Sequence, residues 1–142
     1  MPMTRYLVPV GRAAFAVIFI TAAAGHFSPQ SIAYAAQQGL PFAAFLVPAS
    51  GLLALAGGLS VLLGYRAKTG AWLLVVFLVP VTVTMHNFWA VTDPMMAQIQ
   101  QAMFLKNLSM LGGALLIAHF GPGPLSLDAR RAFTDPLHRS QS

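Results

Sequence analysis

Apolar and polar positions alternate along this chain in long blocks rather than residue by residue. Four apolar runs, at about 6–27, 41–63, 71–89 and 94–120, are separated by short polar segments that carry most of the charge. The second run, from Pro41, holds about 23 residues, or about 34 Å of helix, against a bilayer core of about 30 Å. The pattern predicts an all-α membrane protein, a bundle of four transmembrane helices occupying residues 1–125. A polar tail, 126–142, follows Gly121-Pro122-Gly123-Pro124, and no fold is assigned to it.

Local signals place the ends. Ser28-Pro29 reads as an N-cap followed by proline at the first helical position, opening a short helix that stops at Gly39. This segment is too short and too polar to span, so it is expected to lie at the interface or over one end of the bundle. Asp93-Pro94 opens the last span in the same way, and its glutamine-rich first turns (Gln98, Gln100, Gln101) are expected to project into water. Pro48 and Pro80 fall inside spans two and three and predict kinks. Gly51 and Gly58, Gly57 and Gly64, and Gly112-Gly113 mark close helix packing, as small residues do in lipid. A faint echo between Gly25-His26-Phe27 and His86-Asn87-Phe88 hints at a duplicated two-helix unit.

Composition agrees with the pattern. Charged residues are 8% of the chain, against about 25% in soluble domains. The net charge of +5 does not describe a nucleic-acid surface, because the basic residues sit in separate short segments rather than on one polar face. They describe a topology instead. Of the eight Lys and Arg, all but Lys106 (Arg5, Arg12, Arg66, Lys68, Arg130, Arg131, Arg139) fall on one side of a four-span layout. The positive-inside rule then puts both termini in the cytoplasm of a bacterial inner membrane. Arg5, Arg12 and the apolar stretch Ala13–Ala24 also resemble a cleavable signal peptide. Retention is expected, because three spans follow and removal would leave an odd number. The chain has no cysteine, so thiol chemistry is excluded.

The polar residues inside or at the ends of spans are the candidates for chemistry. In this topology His26, His86, Asn87, Trp89, Lys106 and Asn107 share the outer level. Lys106 is flanked by Phe104, Leu105 and Leu108, where a lysine marks a functional site or else snorkels to the interface. Cationic and hydrogen-bonding groups at one depth suit a quinone head group, a lipid phosphate or a small anion; alternatively they satisfy helix ends. A bis-histidine haem from His26 and His86 is disfavoured by their interfacial position and the lack of a second pair. No metal site is expected, since two histidines without nearby Cys or Glu are too few ligands. On the inner side Arg12 has no acid within the bundle, and Asp128 in the tail is the residue that could fold back to meet it.

Several stretches resemble the DoxX family of small bacterial four-span proteins. They are Gly11-Arg12, Gly25-His26-Phe27, Gly39-Leu40-Pro41-Phe42, Gly57-Gly58, His86-Asn87-Phe88-Trp89, Phe104-Leu105-Lys106-Asn107-Leu108 and Gly121-Pro122-Gly123-Pro124 with Ser126-Leu127-Asp128. The resemblance implies a subunit associated with quinol oxidase or thiosulfate:quinone oxidoreductase, with a partner supplying the redox centre. The chain departs from that pattern at Ala54, where many DoxX members carry a glutamate, and this puts catalysis in doubt.

Three functions follow as expectations. The first is a DoxX-like accessory subunit of a quinone-linked oxidoreductase, binding quinone or a small anion through His26, His86 and Lys106. The second is a non-catalytic scaffold or assembly factor acting with a protein partner or as a homo-oligomer. The third is a small-molecule or lipid carrier.

Overall fold

The computed structural model describes residues 3–134; Asp135, Arg139 and the rest of the tail lie outside the described residues. The fold is all-helical, with no strand among the described residues. The helices are α1 (Leu7–Ala23), α2 (Pro29–Gln37), α3 (Ala43–Leu63), α4 (Ala67–Met85), α5 (Pro94–Phe120) and α6 (Leu127–Thr134), with single 3₁₀ turns at Thr4–Tyr6, Ala24–Phe27 and Phe88–Ala90. Four segments are long and apolar enough to cross a membrane: Thr4–Phe27, Ala43–Leu63, Ala67–Ala90 and Pro94–Phe120.

The two proline starts form as their local chemistry dictates. The Ser28 hydroxyl accepts from the N–H of Ser31 at 3.2 Å, and the Asp93 carboxylate accepts from the N–H of Met96 at 2.8 Å. Each supplies an acceptor to a first-turn donor that has no partner within its helix. Pro48 and Pro80 lie inside α3 and α4.

α3 packs on α1 and α4, and α4 packs on α5, so the spans run in the order α1–α3–α4–α5. Glycines set the close approaches. A Cβ on Gly57 would lie 2.7 Å from the Leu74 side chain and 2.9 Å from the Gly70 carbonyl, so only glycine lets α3 and α4 come this near. A Cβ on Gly58 would crowd Phe19 and Ile20 of α1. Around these contacts the core collects Ala16, Phe19, Ala54, Val61, Leu74, Leu78 and Ala114. Most remaining large apolar side chains face outward, as a bundle surrounded by lipid requires.

Two expectations need correction. Span three starts at Ala67 rather than near 71, and the tail, left without a fold, opens with a helix. Both departures have one cause, a contact between segments far apart in sequence. The Asp128 carboxylate accepts from the N–H groups of Arg66 at 2.8 Å and Ala67 at 3.0 Å, and the Asp128 N–H donates to the Gly64 carbonyl at 2.8 Å. α6 thus caps α4. Its own start is held by Ser126, whose hydroxyl accepts from the N–H of Ala129 at 3.1 Å.

Candidate functional site

The bundle has two ends. One carries Arg5, Arg66, Lys68, Arg130 and Arg131, all exposed, and is called the basic end here. The other carries α2, His26 and His86. There α2, α3 and α4 enclose a cavity of about 640 Å³ lined by His26, Gln30, Ser31, Tyr34, Leu46, Val47, Ser50, Leu53, Val76, Phe77, Val81, Thr84 and His86, among others. Its lining is mostly aliphatic and aromatic, with a few polar groups from three segments, a composition typical of ligand sites.

Both histidines are fixed. The Cβ of His26 sits against Gly51, at 2.7 Å from where a glycine-to-alanine Cβ would stand, and its ring packs on Phe77 with centroids 5.5 Å apart. Its Nδ1 lies 3.2 Å from the Ser50 hydroxyl. That hydroxyl also lies 2.7 Å from the Val47 carbonyl, and when it donates its single proton there it accepts from His26 Nδ1. His86 Nδ1 lies 2.8 Å from Gln100 Oε1 as the amide is oriented, and an amide oxygen only accepts. With these partners, a neutral ring at either position would carry its proton on Nδ1. Nε2 of each ring has no protein partner among the described residues.

The other sequence candidates disperse. Trp89, 59% exposed, forms an edge-to-face cluster with Phe88 and Phe104. Asn87 precedes the 3₁₀ turn, and its carbonyl accepts from the Ala90 N–H at 3.0 Å. Lys106 is exposed, with its ammonium 3.5 Å from Met103 Sδ. Asn107 is 4% exposed within the helix packing. None of these four lines the cavity. Of the expected outer group, only His26 and His86 meet there.

Arg12 and Asp128 share the basic end without forming an ion pair. Arg12, 6% exposed, donates from Nε to the Leu62 carbonyl at 3.3 Å, from Nη1 to Pro122 at 2.6 Å and from Nη2 to Leu125 at 3.0 Å. Asp128 acts on the α4 N-terminus, as above. The two residues tie the same turn-and-tail segment to α1, α3 and α4.

Ser50, Phe77 and Gln100 are the site residues that sequence reasoning missed. Ser50 had a signal, as a polar residue directly before Gly51 inside an apolar span. Gln100 had one too, because a short connection after His86 brings the first turns of the next helix back alongside it. It is half-buried rather than projecting into water.

Comparison with known proteins then decides the family. The SURF4 family profile matches residues 44–133. The chain belongs to the SURF4 family. The Escherichia coli inner membrane protein YqjF is 31% identical over 121 residues, covering 85% of this chain and 88% of YqjF. The E. coli inner membrane protein YphA is 27% identical over 100 residues, 70% of this chain and 71% of YphA. The ER-derived vesicles protein ERV29 of Saccharomyces cerevisiae is 30% identical over 80 residues, 56% of this chain and 26% of ERV29. No solved structure matches.

The DoxX resemblance is therefore wrong for this SURF4-family chain. The stretches that carried it perform tasks general to a four-helix membrane bundle. Gly57 and Gly58 permit close packing, Gly121 ends α5, and Asp128 caps α4. Short motifs with such tasks recur wherever the architecture does, and they do not discriminate families. Ala54 is fully buried in the core, where its methyl fits, and a missing glutamate no longer bears on it. The quinone-linked oxidoreductase reading came with the resemblance and has no support without it.

Proposed function

We propose that this SURF4-family protein is a non-catalytic membrane binding protein that holds an apolar molecule with a hydrogen-bond-donating head, a hydroxyl or an amine. The observation that carries this reading is the pair of histidines lining one apolar cavity, each with Nδ1 held by a side-chain oxygen and Nε2 without a protein partner among the described residues. Two bare Nε2 acceptors match a donor. They do not match a quinone carbonyl or a carboxylate, which bring only further lone pairs. The aliphatic wall of Leu46, Leu53, Val76 and Val81 receives the apolar body.

The protein sits in the bacterial inner membrane in this reading, as the names of YqjF and YphA suggest, with the basic end toward the cytoplasm. The histidine cavity then lies in the outer half. The molecule enters from lipid or from the outer interface beneath α2.

The test is the identity of what co-purifies. Protein extracted in mild detergent is stripped and its bound lipids are identified by mass spectrometry, for the native chain and for His26→Phe with His86→Phe. The native chain should enrich a hydroxyl- or amine-headed apolar compound that the double variant retains at about a tenth of the level, as expected for a lost buried hydrogen bond. Extracts that match bulk lipid in both proteins would sink the reading.

A further inference from the structure

The basic end holds a second cavity, separate from the histidine site and independent of the function proposed for it. It has a volume of about 250 Å³ and lies between α1 and α5, walled by Val8, Phe15, Leu116 and Ile117 and bounded by Pro122. Arg12 is the one residue with a charged side chain among those that line it. A guanidinium has five N–H groups, and Arg12 commits one from each nitrogen to the carbonyls of Leu62, Pro122 and Leu125. One N–H on each terminal nitrogen has no partner among the described residues.

Nor is the Arg12 charge matched by a carboxylate in contact with it. Both Asp128 oxygens are held by the main-chain N–H groups of Arg66 and Ala67. A buried cation beside hydrocarbon is costly and ordinarily has a partner. Lys68 stands at the same place. Its Cε would lie 3.3 Å from a Cβ on Gly121, which lines the cavity, and its ammonium has no hydrogen bond among the described residues.

We infer that this cleft binds an anionic phospholipid. The headgroup phosphate sits between the free N–H groups of Arg12 and the Lys68 ammonium, and the start of an acyl chain lies along Phe15 and Leu116. An anionic headgroup is required rather than a zwitterionic one. Arg5, Arg66, Arg130 and Arg131 stand at this end, where Asp128 is the one acid among the described residues, and their excess of positive charge would repel a choline ammonium.

Native mass spectrometry of the full chain, loaded with equimolar phosphatidylglycerol and phosphatidylcholine, tests this. The native protein should retain phosphatidylglycerol about tenfold over phosphatidylcholine, and Lys68→Gln should cut that preference about fivefold. Arg12→Gln should abolish it but also removes main-chain bonds, so Gly11→Phe serves as the control for misfolding. Gly11 lines the cleft and a Cβ there meets nothing within 4 Å, so a larger side chain can be started there without a clash at its first atom. Gly11→Phe should lose the retained lipid while keeping the native melting temperature. Equal retention of the two lipids, or undiminished retention in Gly11→Phe, overturns the proposal. So does displacement of phosphatidylglycerol by millimolar inorganic phosphate, which would mark a bare anion site.

Discussion

The carboxylate of Asp128 accepts from the main-chain N–H of Ala67 at 3.0 Å, so a helix start is capped by a residue 61 positions later. Arg66, at the N-cap position, adopts φ 47° and offers no side-chain cap of its own. The first turn of α4 therefore depends on the tail. Asp128→Ala should destabilise the protein by about 1 kcal/mol, the usual value of a lost cap. Asp128→Asn, which keeps one acceptor oxygen, should fall between the two. Intrinsic fluorescence melts, with Trp72 and Trp89 as reporters, would give the order; equal melting temperatures for all three proteins would mean that α4 holds its own start.

Arg12 holds the segment that presents Asp128. Its three bonds diverge to one carbonyl at the end of α3 and two in the turn after α5. An ammonium on a single carbon stem cannot reproduce this fork. Arg12→Met should leave buried carbonyls unpaired and cost about 1–3 kcal/mol, and Arg12→Lys should recover less than half of that loss. Full recovery by lysine would show that charge, rather than fork geometry, is what the site requires. Limited proteolysis offers a second readout, since cleavage near Leu125 should rise as the turn is released.

Two glycines separate packing from mere composition. Gly57 faces the Gly70 carbonyl and Leu74, whereas a Cβ on Gly112 meets nothing within 4 Å. Gly57→Ala should therefore force α3 and α4 apart and cost about 1–3 kcal/mol. Gly112→Ala should be neutral or stabilise by up to about 1 kcal/mol, the gain in helix propensity. Comparable losses from both would contradict the α3–α4 contact described here.

Much of this fold was legible because its information is local. Span lengths follow from apolar runs, and Ser28-Pro29 and Asp93-Pro94 open helices through bonds made within one turn. What escaped depends on partners distant in sequence. The start of α4 at Ala67 is set by Asp128, and α6 is held by Gly64 and by Ser126, which caps its start. In the cavity, His26 and His86 were visible as polar residues at span ends, yet their Nδ1 partners, Ser50 and Gln100, were not. Lys106 and Asn107 were expected at the level of the histidines, but His86 meets Gln100, about two turns earlier in α5, and neither residue lines the cavity. Depth is readable from a hydrophobic pattern; the direction a side chain takes around the bundle requires the packing.

The Gln100 contact yields a prediction that distinguishes an oriented histidine from a merely polar one. Gln100→Leu removes the acceptor that keeps the proton on His86 Nδ1, while leaving the cavity lining intact. The ring is then free to move its proton to Nε2 and lose the acceptor offered to a donor head group. Retention of the co-purified molecule should fall about as far as in His86→Phe, and Gln100→Glu, which preserves the acceptor, should keep it. Nitrogen-15 chemical shifts of the imidazole in the purified protein give a direct readout, with Nδ1 protonated in the native chain and in Gln100→Glu and a mixed tautomer in Gln100→Leu. A native ring protonated on Nε2 would refute the donor-head assignment.

Orientation is the remaining decision, and the absence of cysteine makes it direct. Single cysteines at Gln38 and Thr92, exposed at the histidine end, and at Thr69 and Thr134, exposed at the basic end, each provide one labelling site. In intact spheroplasts a membrane-impermeant maleimide should label the first pair, and the second pair only after permeabilisation. The expectation rests on the basic residues, since cytoplasmic loops carry the excess of Lys and Arg. The reverse pattern would put the histidine cavity on the cytoplasmic side, and the cleft beside Arg12 would then have to draw its anionic lipid from the outer leaflet.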